Sequence, residues 1–251
     1  MIDSESISKV EQISSDAWVA HERIQMGGWL LRANYGVTRR ANSVLTIGPP
    51  SGDVIDDAIS QAIQFYENRG LSPLFQLTDA SYPHNLDETL SNSGFVVGLE
   101  VYLQIASVDE VLEQPPSIDI QIESTPSKEW MDAYAKGSGY NTESMRIRKE
   151  LMLRSPLKKA FGSLLIDDEI AGVGLCIVDG EWAGLFNIGT HPSHRRHGIA
   201  TSVNRGLTKW ASIHGVKKMY LLAEIDNQPA LSMYEGLGFE TSYRYWYRRL
   251  P

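Results

Sequence analysis

At one constant, gapless offset the chain falls on itself: Gly28 on Gly172, Gly36 on Gly180, Ile55 on Ile199, Ile59 on Val203, Ile63 on Leu207 and Tyr66 on Trp210. The same register carries Leu77 onto Leu221 and Gly94-Phe95 onto Gly238-Phe239. Two hairpins, two helices and two Gly-Phe pairs kept in step imply one folding unit used twice. The length agrees, since 251 residues suit two domains of roughly 100–150 residues each. In "SVDEVLEQPPSIDIQIE", acidic residues run into Pro115 and Pro116 and then the alternating Ile118, Ile120 and Ile122, which reads as a linker entering a strand. The expected domains are therefore 1–115 and 117–251.

The second half has the clearer pattern. Two helical pieces in "PSKEWMDAYAKGSGYNTESMRIRKELMLRSPLKKA" flank the turn-prone "KGSGYN". "FGSLLIDDEIAGVGLCIVDGEWAGLFNIGTHP" gives three strands with turns at "DDE" and "DGE". Ile199, Val203, Leu207 and Trp210 recur at helical spacing up to Gly215. A strand in "VKKMYLLAEI", a helix in "NQPALSMYEGLG" and a terminal strand in "FETSYRYWYRRL" complete an α/β unit with a mixed sheet.

Charge separates the halves. Residues 1–116 hold 6 Lys and Arg against 16 Asp and Glu, whereas the remainder holds 17 against 15. An acidic first half argues against a broad nucleic-acid surface. No apolar run approaches the ~18 residues of a membrane span, and the N-terminus lacks the pattern of a secretory signal. The expectation is a soluble, cytoplasmic protein with no membrane partner. Its one cysteine, Cys176, lies in an apolar run and reads as buried filler.

The junction "HPSHRRHGIA" before the helix at Ile199 suggests a metal, a nucleic acid, a phosphate or only a solvated loop. His191, His194 and His197 have no Cys or carboxylate completing a metal set, so no metal is expected. The first turn of a helix leaves N–H groups unpaired at the positive end of its dipole, and Gly198 lets backbone approach a ligand. Arg195, Arg196 and His197 add charge, so a phosphate or pyrophosphate matches best.

Motif context supports this reading. Arg195 to Ala200 resembles the Arg/Gln-x-x-Gly-x-Gly/Ala signature of the GNAT acyltransferases, and "NIGTHPSHRRHGIA" is similar to their strand and loop. "DNQPALSMYEGLGFE" resembles the family's Asn-x-x-Ala-x-x-x-Tyr-x-x-x-Gly-Phe element. The resemblance covers residues 117–251 and reaches the first half only through the repeat. It implies two tandem GNAT-like α/β domains, each with a mixed, mostly antiparallel sheet flanked by helices. The implied activity is transfer of acetyl from acetyl-CoA to an amine of a small molecule, peptide or protein.

Carried over residue by residue, the resemblance assigns Arg195, Arg196, His197, Gly198, Ile199 and Ala200 to the cofactor pyrophosphate. It sets Ile188, Gly189 and Thr190 beside the pantetheine, and Asn227 and Ala230 beside the cofactor arm. Tyr234 falls on the general-acid position near the sulfur. A thiol titrates near ~8.5 and a phenol near ~10, so full proton transfer to the thiolate is uphill by about 2 kcal/mol, but hydrogen-bond donation is not. For the general base, the strand position often bearing Glu is Gly184, and the next strand offers Leu222. Glu224 lies two residues on, hence on the same face, and is the candidate base, with Glu181 or a water held by Asn187 as alternatives.

At the repeat offset, Arg195 becomes Ser51, Gly198 becomes Val54, Ala200 becomes Asp56 and Tyr234 becomes Leu90. The first copy is thus expected to be degenerate, serving structure, substrate shaping or a homodimer. Its Arg39 and Arg40 are expected to neutralise nearby carboxylates, with contact to an anionic substrate as the alternative. An alternative for the whole chain is a non-catalytic acyl-CoA-binding regulatory module.

Overall fold

The computed structural model describes residues 3–52 and 54–251. Two compact units result: the chain up to Tyr102 together with Tyr243–Pro251, and Leu103–Ser242. No described helix is long and apolar enough to cross a membrane.

The first unit opens with α1 (Ser4–Ala17), capped by the Asp3 carboxylate, which accepts from Ser6 N at 2.8 Å. Strands β1 (Glu22–Met26) and β2 (Trp29–Ala33) form a hairpin, followed by the short β3 (Val44–Leu45). Then come α2 (Ile55–Glu67), β4 (Leu74–Leu77), α3 (Leu86–Asn92) and the long β5 (Val96–Ser107), which runs across the unit boundary. Pairing is antiparallel for β1–β2 and β2–β3 and parallel for β3–β4. Ala58, Ile59, Ala62 and Tyr66, the apolar stripe of α2, pack with Trp29, Phe75 and Leu77 into one core.

The second unit adds α4 (Val108–Val111), β6 (Gln121–Glu123), α5 (Lys128–Ser138) and α6 (Thr142–Arg154). It continues through β7 (Lys158–Ile166), β8 (Glu169–Asp179), β9 (Trp182–Thr190), α7 (Ile199–Ser212), β10 (Lys218–Glu224) and α8 (Gln228–Glu235). Strand β11 (Glu240–Arg249) ends the chain. The order β10-β9-β8-β7-β6 is antiparallel except for the parallel β9–β10 pair. Helix α7 can lie close on the sheet because Gly172 and Gly174 lack side chains. A Cβ there would fall 2.4 Å from Ile199 and 2.8 Å from Val203. On α5, Trp130 is buried and its indole N–H donates to Gly162 O at 2.9 Å.

The repeat is visible in the order of elements: β2-β3-α2-β4-α3 in the first unit answers β8-β9-α7-β10-α8 in the second. The break between units differs from the boundary expected near residue 115. Ala106, Val108 and Val111 are buried in the second unit's core, so the chain has entered that unit before Pro115. The terminal strand also differs from expectation. From Tyr243 it belongs to the first unit, where Trp246 pairs with Leu77 and Arg249 with Leu74 of β4.

A buried polar network holds that returning strand. Glu11, fully buried on α1, accepts through Oε2 from Arg40 Nη2 and Gln76 Nε2, each at 2.7 Å, and through Oε1 from the Tyr243 hydroxyl at 2.9 Å. Arg32 Nη2 donates to Ser43 Oγ and Gln76 Oε1, each at 2.8 Å. Arg40 thus does pair a carboxylate, while Arg39 stays exposed. Removing one member of a buried ion pair leaves the other charge uncompensated, at a cost of about 3–5 kcal/mol. Glu11→Ala is expected to lower unfolding stability by that order in chemical denaturation. Arg23→Ala, which breaks an exposed pair with Asp16, should cost less than about 1 kcal/mol.

Candidate active site

Strands β9 and β10 are paired only from Trp182–Lys218 to Leu185–Leu221. Beyond that point β9 turns away. Its register against β8 shifts between Val173 and Leu175, and Asn187 takes a left-handed φ of +52°. This is a β-bulge, which bends a strand and ends its pairing on one side. Residues 188–190 therefore run past β10 without the ladder that 182–185 make.

After β9, Pro192–His194 form a single 3-10 turn in which the His191 ring stays local, 2.7 Å from Ser193 Oγ. Arg196 and Gly198 follow with φ of +63° and +74°, turning the chain into α7. No side chain caps α7 and no acidic residue stands in its first turn, so its unpaired N–H groups and positive dipole end remain available to an anion.

This corner and α8 enclose a cleft of about 800 Å³. Ile188, Thr190, Arg195, Arg196, Gly198, Ile199 and Ala200 line it on one side, and Asn227, Ala230 and Tyr234 on the other. Asn227 caps α8, its Oδ1 accepting from Ala230 N at 3.3 Å, and so orients the helix that carries Tyr234. Tyr234 is 8% exposed and packs edge-on against Phe239. Burial pushes its hydroxyl pKa up to about 12, so the group carries its proton at neutral pH.

Ten of the expected residues thus come together, but Gly189, His197 and Glu224 do not line the cleft. Gly189 faces α5, where an added Cβ would lie 4.0 Å from the Tyr134 ring. His197 is exposed beside the loop. Glu224, the expected base, is an exposed residue at the end of β10, and the alternative Glu181 is exposed in the turn at the other end of β9. Gly184, where a strand carboxylate would stand, is crowded. A Cβ there would lie 2.5 Å from both the Phe186 and Tyr220 rings. Cys176 is fully buried and burial raises its thiol pKa, which suits packing and not nucleophilic attack.

The sequence reading missed His194, Thr201, Pro229 and Met233 as lining residues. Their only signal was position, one turn or less from residues already singled out. It also missed Tyr134, whose hydroxyl donates to Asn187 Oδ1 at 2.9 Å. Nothing in the helical pattern of α5 separates this tyrosine from a core aromatic.

The corresponding corner of the first unit is built differently. Val44 and Leu45, which the repeat sets on Ile188 and Gly189, pair with Phe75 and Gln76 of β4. Asp56 and Asp57 occupy the first turn of α2, opposing an anion there, and Leu90 is buried at the position of Tyr234.

A sheet opened beside a bulge, an anion-accepting helix start and a buried phenol on the next helix define an acetyltransferase of the GNAT class. The chain belongs to the family described as "Probable histone acetyltransferase Rv0428c C-terminal", whose sequence pattern matches residues 4–248. It is 32% identical over 249 residues to the "Uncharacterized N-acetyltransferase YobR" of Bacillus subtilis (strain 168), covering 97% of this chain and 98% of that protein. Among solved structures, a GCN5-related N-acetyltransferase from Kribbella flavida superposes with a TM-score of 0.73 at 15% identity, covering 97% of this chain and 95% of the other. A tandem GNAT protein from the clavulanic acid biosynthesis pathway gives 0.67 at 12% identity, covering 96% and 87%. These two likenesses bear on the fold.

The crowding at Gly184 is directly testable. Gly184→Ala is expected to overpack the Phe186 and Tyr220 rings and to cost about 1–3 kcal/mol, read as a lowered thermal unfolding midpoint.

Proposed function

We propose that the chain transfers the acetyl group of acetyl-CoA directly to a primary amine, with the cofactor held in the cleft between the start of α7 and α8. One observation carries this reading: a single cleft joins an uncapped, acid-free helix start to a buried, protonated phenol. The residues present fit a pyrophosphate. Gly198 has open space on its Cβ side, and Arg195 and Arg196 bring positive charge to the N–H groups. Acetyl-CoA supplies an acyl carbon activated as a thioester.

The N–H groups at the start of α7 orient the anionic end. Residues 188–190 offer to the amides of the arm the backbone edge that β10 leaves unpaired, and Asn227 and Ala230 bound it on the α8 side. Tyr234 holds a proton on Oη and donates it as a hydrogen bond to charge developing on the departing sulfur. Direct transfer is favoured because the only cysteine, Cys176, is inaccessible. Among the described residues no carboxylate lines the cleft, so the acceptor arrives as the free amine and its proton passes to solvent.

Calorimetry with coenzyme A and thiol release over an amine series test this reading. Gly198→Val forces a β-branched residue into a left-handed φ at the helix start and should weaken coenzyme A binding at least about tenfold. Tyr234→Phe should leave that affinity within about twofold and lower kcat by roughly 10²-fold. Wild-type turnover in Tyr234→Phe would remove the phenol from the mechanism.

The pH profile follows from the same groups. A phenol with its pKa pushed up to about 12 keeps its proton, so no alkaline limb from Tyr234 is expected below about pH 11. On the acid side kcat/KM should fall about tenfold per pH unit below the pKa of the amine used, because only the free base attacks. A limb that stays at one pH across amines of different pKa would instead reveal a base on the protein.

A further inference from the structure

Asn187 and Gly189 meet α5, and the groups gathered there describe the acceptor. The Tyr134 hydroxyl donates to Asn187 Oδ1, which leaves the amide nitrogen Nδ2 as the remaining polar atom; it is buried and has no partner among the described residues. A site with a spare donor at this corner favours an incoming hydrogen-bond acceptor. The Tyr140 ring lies 6.0 Å from the Tyr134 ring, and the Arg148 guanidinium is stacked 3.6 Å over Tyr140. Stacking on an aromatic face holds a guanidinium in place while leaving its N–H edge free to bind.

Three of the four carboxylates of the two neighbouring helices are committed elsewhere, and the fourth, Glu129, stands in the first turn of α5. Glu143 and Glu150 both pair with Arg146, and Asp132 pairs with Lys128. Among the described residues Arg148 makes no ion pair; its Nε donates to Ser144 Oγ at 3.3 Å, and its guanidinium also hydrogen-bonds the Tyr134 hydroxyl. A half-buried, immobilised cation without a counter-charge stands beside the tyrosine that touches the bulge.

We propose that Arg148, set on Tyr140 and next to Tyr134, determines acceptor specificity by receiving a carboxylate, so that the preferred substrate is a small amine that also carries a carboxylate. This rests on the acetyl-CoA reading, because the acceptor amine must reach the acyl carbon at the opening between β9 and β10. The same charge disfavours polycationic acceptors, which would bring ammonium groups against the guanidinium.

The test uses the full chain with ornithine, ornithine amide and putrescine, which share an amine but differ in the carboxylate, and a dipeptide with a free C-terminus. Thiol release is expected to show kcat/KM at least about tenfold higher for ornithine than for the amide or the diamine. Use of the dipeptide would assign the carboxylate to a peptide end, and its rejection would assign it to a free amino acid. Arg148→Met should raise KM for ornithine about tenfold with kcat within twofold, and Arg148→Lys should restore part of the loss. Independently of turnover, calorimetry of ornithine against protein saturated with coenzyme A should show weaker binding in Arg148→Met, with coenzyme A affinity unchanged. Equal use of the three amines, or ornithine binding unaffected by Arg148→Met, would overturn the acceptor inference while leaving the cofactor reading intact. Failure of coenzyme A to bind the wild-type chain would overturn both.

Discussion

The parting of β9 from β10 after Leu185 and Leu221 is the constraint on which the rest of the site depends. A paired ladder there would consume the backbone groups of residues 188–190 and close the space between the two strands. The bulge at Asn187 prevents it by turning β9 out of register, and the cost of a left-handed, non-glycine residue is met by the packing on either side. Helix α7 lies close on the sheet over Gly172 and Gly174, and α5 is tied to the bulge by the Tyr134–Asn187 hydrogen bond. The opening is therefore a property of three packed layers and not of the loop that follows it.

The first unit shows what the same order of elements becomes without that opening. Its Val44 and Leu45 pair with β4, whereas their repeat counterparts Ile188 and Gly189 make no pair with β10, and its helix start carries Asp56 and Asp57. In place of a cleft it contains buried charge: Glu11, Arg40, Arg32 and Gln76, with Tyr243 supplied by the last strand. A buried carboxylate with three donors must be satisfied completely or it destabilises the fold. The network thus makes the structure of the first unit conditional on the return of the C-terminal chain.

Much of this architecture was legible in the sequence because it rests on local rules. The stripe Ile199, Val203, Leu207 has the period of a helix, Gly198 marks a backbone conformation costly to other residues, and the spacing from Asn227 to Tyr234 brings a cap and a phenol to the two ends of one short helix. The repeat was legible for the same reason, since matching patterns dictate matching elements. Two expectations depended on more than local pattern. The double proline looked like a boundary, but the strand before it had already entered the second core. Glu224 satisfied the alternation rule for a shared strand face, yet it stands at the exposed end of β10, where alternation no longer implies a common cleft.

By itself, then, the sequence determined the elements, their order, their duplication and the uncapped, acid-free start of α7, all consequences of side-chain period, glycine conformation and charge within a few residues. The tertiary structure decided which strands stay paired and which part, that β11 returns to the first unit, and that Tyr134, Tyr140 and Arg148 gather beside Asn187. Those outcomes follow from packing and hydrogen bonds between segments far apart in the chain, where no local pattern records which partner a strand or side chain will meet.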